Sequence, residues 1–329
     1  MKTAVWGITT VVAFALTAAG SFAAELPGWA YGLPPGATSA PPAPPPAPGA
    51  PDTSQKHLQG SSQSFTLAQI RDSFGPADWF PGDHPAMPDI VAHGKKPDVR
   101  ACALCHYPNG KGRPENAPVT GYAPSYFIQT MLDFRNGDRK SADPKKANTN
   151  AMILFAKTMT DEEIKQAADY FGAMKWTQWI RVVETTSVPK TRIAIGMFLP
   201  LESGEKEPLG RRIIEVPENP ENTEMLRDPH SGFIAYVPVG SVKKGQALVT
   251  AGGNGKTTQC ALCHGADLKG MGPVPGLAGR SPSYLVRQMF DMQQGVRKGQ
   301  WSELMKPVVA KLTEEDMLEI AAYTASLKP

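Results

Sequence analysis

Long apolar runs are nearly absent from this sequence. Beyond the N-terminus no stretch keeps 18 uninterrupted apolar residues, and a bilayer span takes about 20, so a spanning helix is excluded from the body of the chain. An excess of one charge is also missing. Lys and Arg number 34 against 31 Asp and Glu, a net +3, too balanced for nucleic-acid binding by bulk charge. Cysteine is scarce, four residues in all. Proline is abundant but concentrated: ten of the 32 lie between Pro27 and Pro51. The remainder is an ordinary globular composition, 41% hydrophobic over 329 residues, and domains of about 100–200 residues suggest two or three of them.

The N-terminus carries the one apolar run. Met1-Lys2 is a positive start, Val5 to Ala19 is almost wholly apolar or small, and Ser21-Phe22-Ala23 puts small residues where a signal peptidase reads. Residues 1–23 are expected to be a secretory signal; uncleaved, the same run would anchor the chain to a membrane. Residues 24–60 read as a flexible, Pro-rich segment, extended and semi-rigid because proline locks φ and lacks an amide donor.

The rest of the chain repeats itself. Cys102-Ala103-Leu104-Cys105-His106 recurs as Cys260-Ala261-Leu262-Cys263-His264, an offset of 158 residues. Pro124-Ser125-Tyr126 matches Pro282-Ser283-Tyr284 at the same offset, and Gly137 matches Gly295. After Arg139 the offset falls to 153, because the first copy has five extra residues around Lys140–Asn150. Met152 then matches Met305, Thr160 matches Thr313, and Tyr170 matches Tyr323. Shared landmarks in one order predict two homologous domains, 61–180 and 241–329. Tyr284, Leu285, Gln288 and Met289, like Tyr126, Phe127, Thr130 and Met131, share a helix face. Thr160 with Glu163, and Thr313 with Asp316, predict capping boxes before the last helix of each copy. Its inward stripe is Ile164, Ala167, Ala168 and Phe171, or Met317, Ile320, Ala321 and Thr324. Between the copies, residues 181–240 form a connector in which 192–195, 211–214 and 233–237 read as short strands.

Cysteines at i and i+3 with His at i+4 lie on one side of a helical turn. Two thiols so placed can each add to a vinyl group of haem, and the following imidazole can reach its iron; this is the c-type haem attachment pattern. A structural zinc site wants four ligands, a thioredoxin-type dithiol wants an α/β fold, and disulfides leave the repeated His unexplained. Cys102, Cys105, His106, Cys260, Cys263 and His264 are therefore the expected attachment residues for two covalent haem c groups, with His106 and His264 on the irons. Met152 and Met305, in register, are the expected sixth ligands; His/Met ligation closes the iron to substrates. His84 and His93 are the alternative ligands. Each ligand His needs an acceptor for its other ring nitrogen; Pro275 is the natural provider, with Ala117 at the matching place. Arg135, Arg139 and Arg297 are candidates to offset haem carboxylate charge, and otherwise solvated surface.

These motifs resemble the class I cytochrome c domain, and the doubled arrangement resembles the dihaem cytochromes of the c-four family. Besides the two CALCH runs, the likeness rests on Pro-Gly-Leu-Ala-Gly at 275–279, the two Pro-Ser-Tyr helices, and the Met–Thr spacing before a capped helix ending in Ala-Ala-Tyr at 321–323. The resemblance covers roughly 88–174 and 241–327. It implies an all-α fold of two tandem cytochrome domains, joined here by a connector with a few short strands. It also implies soluble electron transfer in the periplasm, between a donor dehydrogenase or the bc₁ complex and an acceptor oxidase or reductase. The longer connector and the Pro-rich segment depart from the compact members of that family. The alternatives are a dihaem peroxidase, which needs one iron open to peroxide, and a fixed cytochrome subunit of a membrane-bound dehydrogenase.

Overall fold

The computed structural model describes Met1, residues 25–34 and residues 52–329. The expected signal, Met1 apart, and residues 35–51 of the Pro-rich segment lie outside the described residues. A two-stranded pair, β1 (Lys56–His57) with β2 (Ser64–Phe65), and a single turn, α1 (Leu67–Ile70), lead into the first repeat unit. That unit holds α2 (Asp89–Ala92), α3 (Cys102–His106), α4 (Pro124–Asn136), α5 (Ala147–Thr158) and α6 (Asp161–Ala173). Pro124 opens α4, where its missing N–H costs nothing, and Gly137 closes it in the left-handed conformation. The Thr160–Glu163 capping box forms, and Asp161, Glu162 and Glu163 face the positive end of the α6 dipole. The expected stripe Ile164, Ala167, Ala168 and Phe171 is buried.

The connector is a folded layer. It holds β3 (Ile180–Glu184), β4 (Ser187–Pro189), β5 (Thr191–Ala194), β6 (Met197–Pro200), β7 (Lys206–Pro208), β8 (Ile214–Pro217) and β9 (Phe233–Val237). Its centre is a three-stranded sheet, β3-β9-β8, with β3 parallel to β9 and β8 antiparallel to it. Phe233, Ala235 and Val237 alternate inward from β9, the period-two pattern of a half-buried strand. The run 192–195 forms β5 one residue early, and 233–237 is β9 itself. The run 211–214 leads into β8, whose pairing starts at Ile214.

The second unit holds α7 (Ser241–Ala251), α8 (Ala261–His264), the hairpin β10 (Gly270–Met271) with β11 (Val274–Pro275), α9 (Pro282–Gln293), a 3-10 turn Ser302–Met305, α10 (Lys306–Val309) and α11 (Glu314–Ser326). The Thr313–Asp316 capping box forms, and Met317, Ile320, Ala321 and Thr324 are buried.

The all-α expectation is corrected: the described residues are 38% helix and 14% strand, in several small sheets. Most of the strand lies in the connector, whose β-branched runs are interrupted by Pro and Gly too often for a helix to form. Part of the segment expected to be flexible is also ordered. Trp29, Ala30, Tyr31 and Leu33 are buried. Trp29 Nε1 donates to Glu314 Oε1 (2.8 Å), and the Tyr31 hydroxyl donates to Asp291 Oδ1 (2.6 Å). This N-terminal strap therefore closes over α9. On another side of α9, the buried connector residue Glu215 accepts from the Ser283 N–H (2.6 Å) and the Ser281 hydroxyl (2.9 Å), satisfying the helix start.

The two units meet directly. Lys140 N–H donates to the Val296 carbonyl (2.9 Å) and Lys298 N–H to the Asp138 carbonyl (2.7 Å). Gly299 sits so close to Asp133 that an added Cβ would lie 2.1 Å from its carboxyl. A larger residue there would have to displace the Asp133 carboxyl.

Candidate haem sites

Each Cys-x-x-Cys-His turn opens onto a cavity of its own. The first, ≈ 390 Å³, is lined by Cys102, Cys105, His106 and Met152, with Phe127, Phe155 and Phe171 among its apolar walls. The second, ≈ 210 Å³, is lined by Cys260, Cys263, His264 and Met305, with Leu285 and Val309 among its walls. The expected Cys, His and Met residues of each repeat therefore lie together on the wall of one cavity. Other methionines share these walls: Met131 and Met159 in the first, Met289 and Met292 in the second. His84 and His93 line neither cavity. His84 bonds Asp78 (3.2 Å) and His93 bonds the Phe74 carbonyl (3.3 Å).

The imidazoles are held in one orientation. His106 Nδ1 lies 2.8 Å from the Ala117 carbonyl oxygen and His264 Nδ1 lies 2.7 Å from that of Pro275, the acceptors that the aligned repeat anticipates. A carbonyl only accepts, so Nδ1 carries the proton and Nε2 keeps a free lone pair. Burial lowers the pKa of both rings, with the carbonyl bonds acting against it. Both imidazoles are thus neutral metal-ligand donors near pH 7.

No disulfide joins the four cysteines, which are divided between the two cavities. Among the described residues no three His, Cys, Asp or Glu side chains gather as a metal cluster, so the shared-zinc arrangement has no geometry. Burial pushes the Cys102 thiol up to about 12 and that of Cys260 up to about 11, the reverse of the lowered thiol pKa of a reactive redox dithiol.

The cavities adjoin. Tyr122, Tyr126, Thr130, Tyr284 and Gln288 line both. Across this shared wall the arginines exchange partners. Arg139 donates to the Tyr284 hydroxyl (3.2 Å) and to Gln288 Oε1 (3.0 Å), while Arg297 donates to the Tyr126 hydroxyl (3.1 Å) and the same Gln288 oxygen (2.9 Å). Both arginines are buried, against the surface reading. Arg135 serves elsewhere, donating to the carbonyls of Ala156 (2.9 Å) and Met159 (2.8 Å) at the end of α5. Sequence reasoning passed over four further buried or half-buried cations on the first cavity's wall, Arg113, Lys146, Arg227 and Arg287, beside the exposed Arg100 and Lys140. Lys146 lies in the five-residue insertion, which was the one available signal; the other three come together only in the folded chain.

This donor set fits haem c. Paired thiols, an oriented imidazole and a thioether share one apolar cavity in each unit. Some cations on these walls also keep unused charge or donors. Lys146 forms no ion pair among the described residues, and burial, with Arg287 nearby, pushes its ammonium down to about 7. Arg297 Nε is buried without a hydrogen-bond partner. These groups suit the two carboxylates of a haem.

The comparisons agree with this geometry. The family model "Cytochrome c" matches residues 242–328. Cytochrome c-554(548) of Halomonas halodenitrificans is 40% identical over 77 residues, 23% of this chain and 93% of that protein. Cytochrome c4 of Pseudomonas aeruginosa is 39% identical over 79 residues, 24% of this chain and 38% of that protein, so the match spans a little over a third of that relative. A solved thiosulfate dehydrogenase (TsdBA) from Marichromatium purpuratum is 23% identical, covering 72% of this chain and 38% of that chain at a TM-score of 0.49. The chain belongs to the class I c-type cytochromes, in the group that includes cytochrome c4. A domain of that family carries covalently bound haem c.

Proposed function

We propose that this protein is a dihaem electron carrier, with one His/Met haem c in each repeat unit and the units at about 61–180 and 241–329. The observation that carries the reading is the duplicated cavity, each with two thiols, an Nδ1-anchored imidazole and a register-matched methionine on its wall. Haem c bound there supplies a one-electron iron couple. The chain's part is to hold that couple still. Cys102 and Cys105, or Cys260 and Cys263, fix the group covalently. His106 and His264 would offer Nε2 to the iron, and Met152 and Met305 would offer their thioether sulfurs. Apolar walls exclude water, so little reorganises when charge changes.

Two adjoining cavities suit exchange between the haems inside one chain. Transient docking to a donor dehydrogenase or bc₁ complex, and to an acceptor oxidase or reductase, follows from the carrier role, as does a periplasmic location. No helix among the described residues is long and apolar enough to cross a membrane. The test is optical. Oxidised protein should show the weak red-edge sulfur-to-iron band of a Met-ligated haem, halved in Met152→Ala and lost in the double variant with Met305→Ala. A high-spin, peroxide-reactive haem in the unaltered protein would favour the peroxidase reading instead.

A further inference from the structure

The walls of the two cavities differ in charge. Around the first stand Arg113, Arg139, Lys146, Arg227 and Arg287, all buried or half-buried. Their acidic counterparts are Glu115, which pairs with Arg113 at 2.7 Å, and Asp291, tied to the Tyr31 hydroxyl. Around the second, Arg297 faces a single carboxylate, Asp133. If the two carboxylates of a haem are set against each wall, the first keeps an excess of cations and the second an excess of anions.

The walls also differ in exposure. The ligand imidazoles are buried in both units, but in the first motif Ala103 and Leu104 are buried and Cys105 half-buried, and the connector covers them. Arg227 donates to the Leu104 carbonyl, and Asn109 Nδ2 donates to the Pro229 carbonyl (2.8 Å). In the second motif Ala261, Leu262 and Cys263 are exposed, Leu262 at 65%.

Both differences act in one direction. Oxidation adds a positive charge at the iron. Fixed cations in a low-dielectric wall oppose it, and loss of water removes the solvent that would offset it. On the reading that each cavity holds a haem, we propose that the first site holds an electron in preference to the second by at least about tenfold, which is 59 mV for a one-electron couple. The residues that set this bias are foreign to the repeat: Lys146 from the insertion, Arg227 from the connector, and Arg287 reaching over from α9 to the Ala30 (2.6 Å) and Pro114 (2.6 Å) carbonyls. They act as positioning charges, and the electron moves without touching them.

The experiment is a potentiometric titration of the full-length holoprotein followed by absorbance, on samples whose mass shows two haems per chain. Met305→His marks the second site, because exchanging its axial donor should move only the lower component. Lys146→Gln should then move only the upper component, narrowing the electron ratio several-fold, while Lys146→Arg restores it. Arg227→Gln is the independent variant should Lys146→Gln fold poorly. A marker that moves the upper component, or a Lys146→Gln protein with an unchanged ratio, overturns the proposal while leaving the dihaem reading intact. A sample with fewer than two haems defeats that reading first, and the proposal with it.

Discussion

In the second unit, α7 runs for eleven residues and packs against α11 at Gly245, where an added Cβ would lie 1.9 Å from the Glu319 carbonyl oxygen. The matching place in the first unit holds Met87, ahead of an α2 of only four residues. One unit is thus closed by its own N-terminal helix, with a glycine at the point of closest approach. The other has a single turn there and is covered from outside by the connector, whose Arg227 and Pro229 reach its motif. The family model matches 242–328, and both units carry CALCH, a capping box and an anchored His. The motif needs only five residues and a helical turn, and the turn is kept where the surrounding helices are shorter.

The largest expected effect follows from that crossing. Gly245→Val should destabilise the second unit by about 3 kcal/mol, since neither helix can retreat without opening the core. Met87→Ala in the first unit should cost only about 1 kcal/mol, because Met87 is half-buried and can be partly replaced by water. Thermal unfolding of the two variants measures the contrast, and equal losses would contradict it.

Next comes Glu215→Ala, which strips the connector's support from α9 and leaves the Ser283 N–H buried without a partner. A loss of about 2 kcal/mol is expected, read as faster amide exchange at the start of α9. The matching start of α4 has no side-chain cap, so exchange there should not change.

The capping boxes should behave alike in both units. Thr160→Ala and Thr313→Ala are each expected to cost about 1 kcal/mol, measurable by denaturant titration. The smallest effect is acid sensitivity. Burial opposes ionisation of Glu163 and Asp316, but their Thr partners and the lysines Lys95 and Lys256 outweigh it, so both folded pKa values lie below the usual ones. The stability they contribute is full above the unfolded values of about 4 and is lost as pH falls through the lower folded values. Helical circular dichroism followed below pH 4 in Glu163→Gln and Asp316→Asn should therefore be flatter than in the parent protein.

The sequence made local chemistry legible. The Cys, His and Met residues singled out by spacing share one cavity wall in each unit, because the ligand turn and the capped helices each depend on neighbours a few residues apart. The acceptors Ala117 and Pro275 were legible through the repeat. What escaped was set by distant contacts. Trp29 meets Glu314, Tyr31 meets Asp291, and Glu215 meets Ser283, pairs that no periodicity announces. The connector's sheet was underread for the same reason: β3 pairs in parallel with β9 across some fifty residues. Arg139 and Arg297 looked like surface because a lone arginine usually is. They are buried because each finds the other unit's tyrosine.

The account stands most directly on a haem count by intact mass and reduced-haem absorbance. The unaltered chain should carry two covalent haems, and Cys102→Ala with Cys105→Ala, or Cys260→Ala with Cys263→Ala, should each leave one. A chain that carries one haem before any substitution, or loses both when a single pair is removed, would contradict the reading of two independent sites.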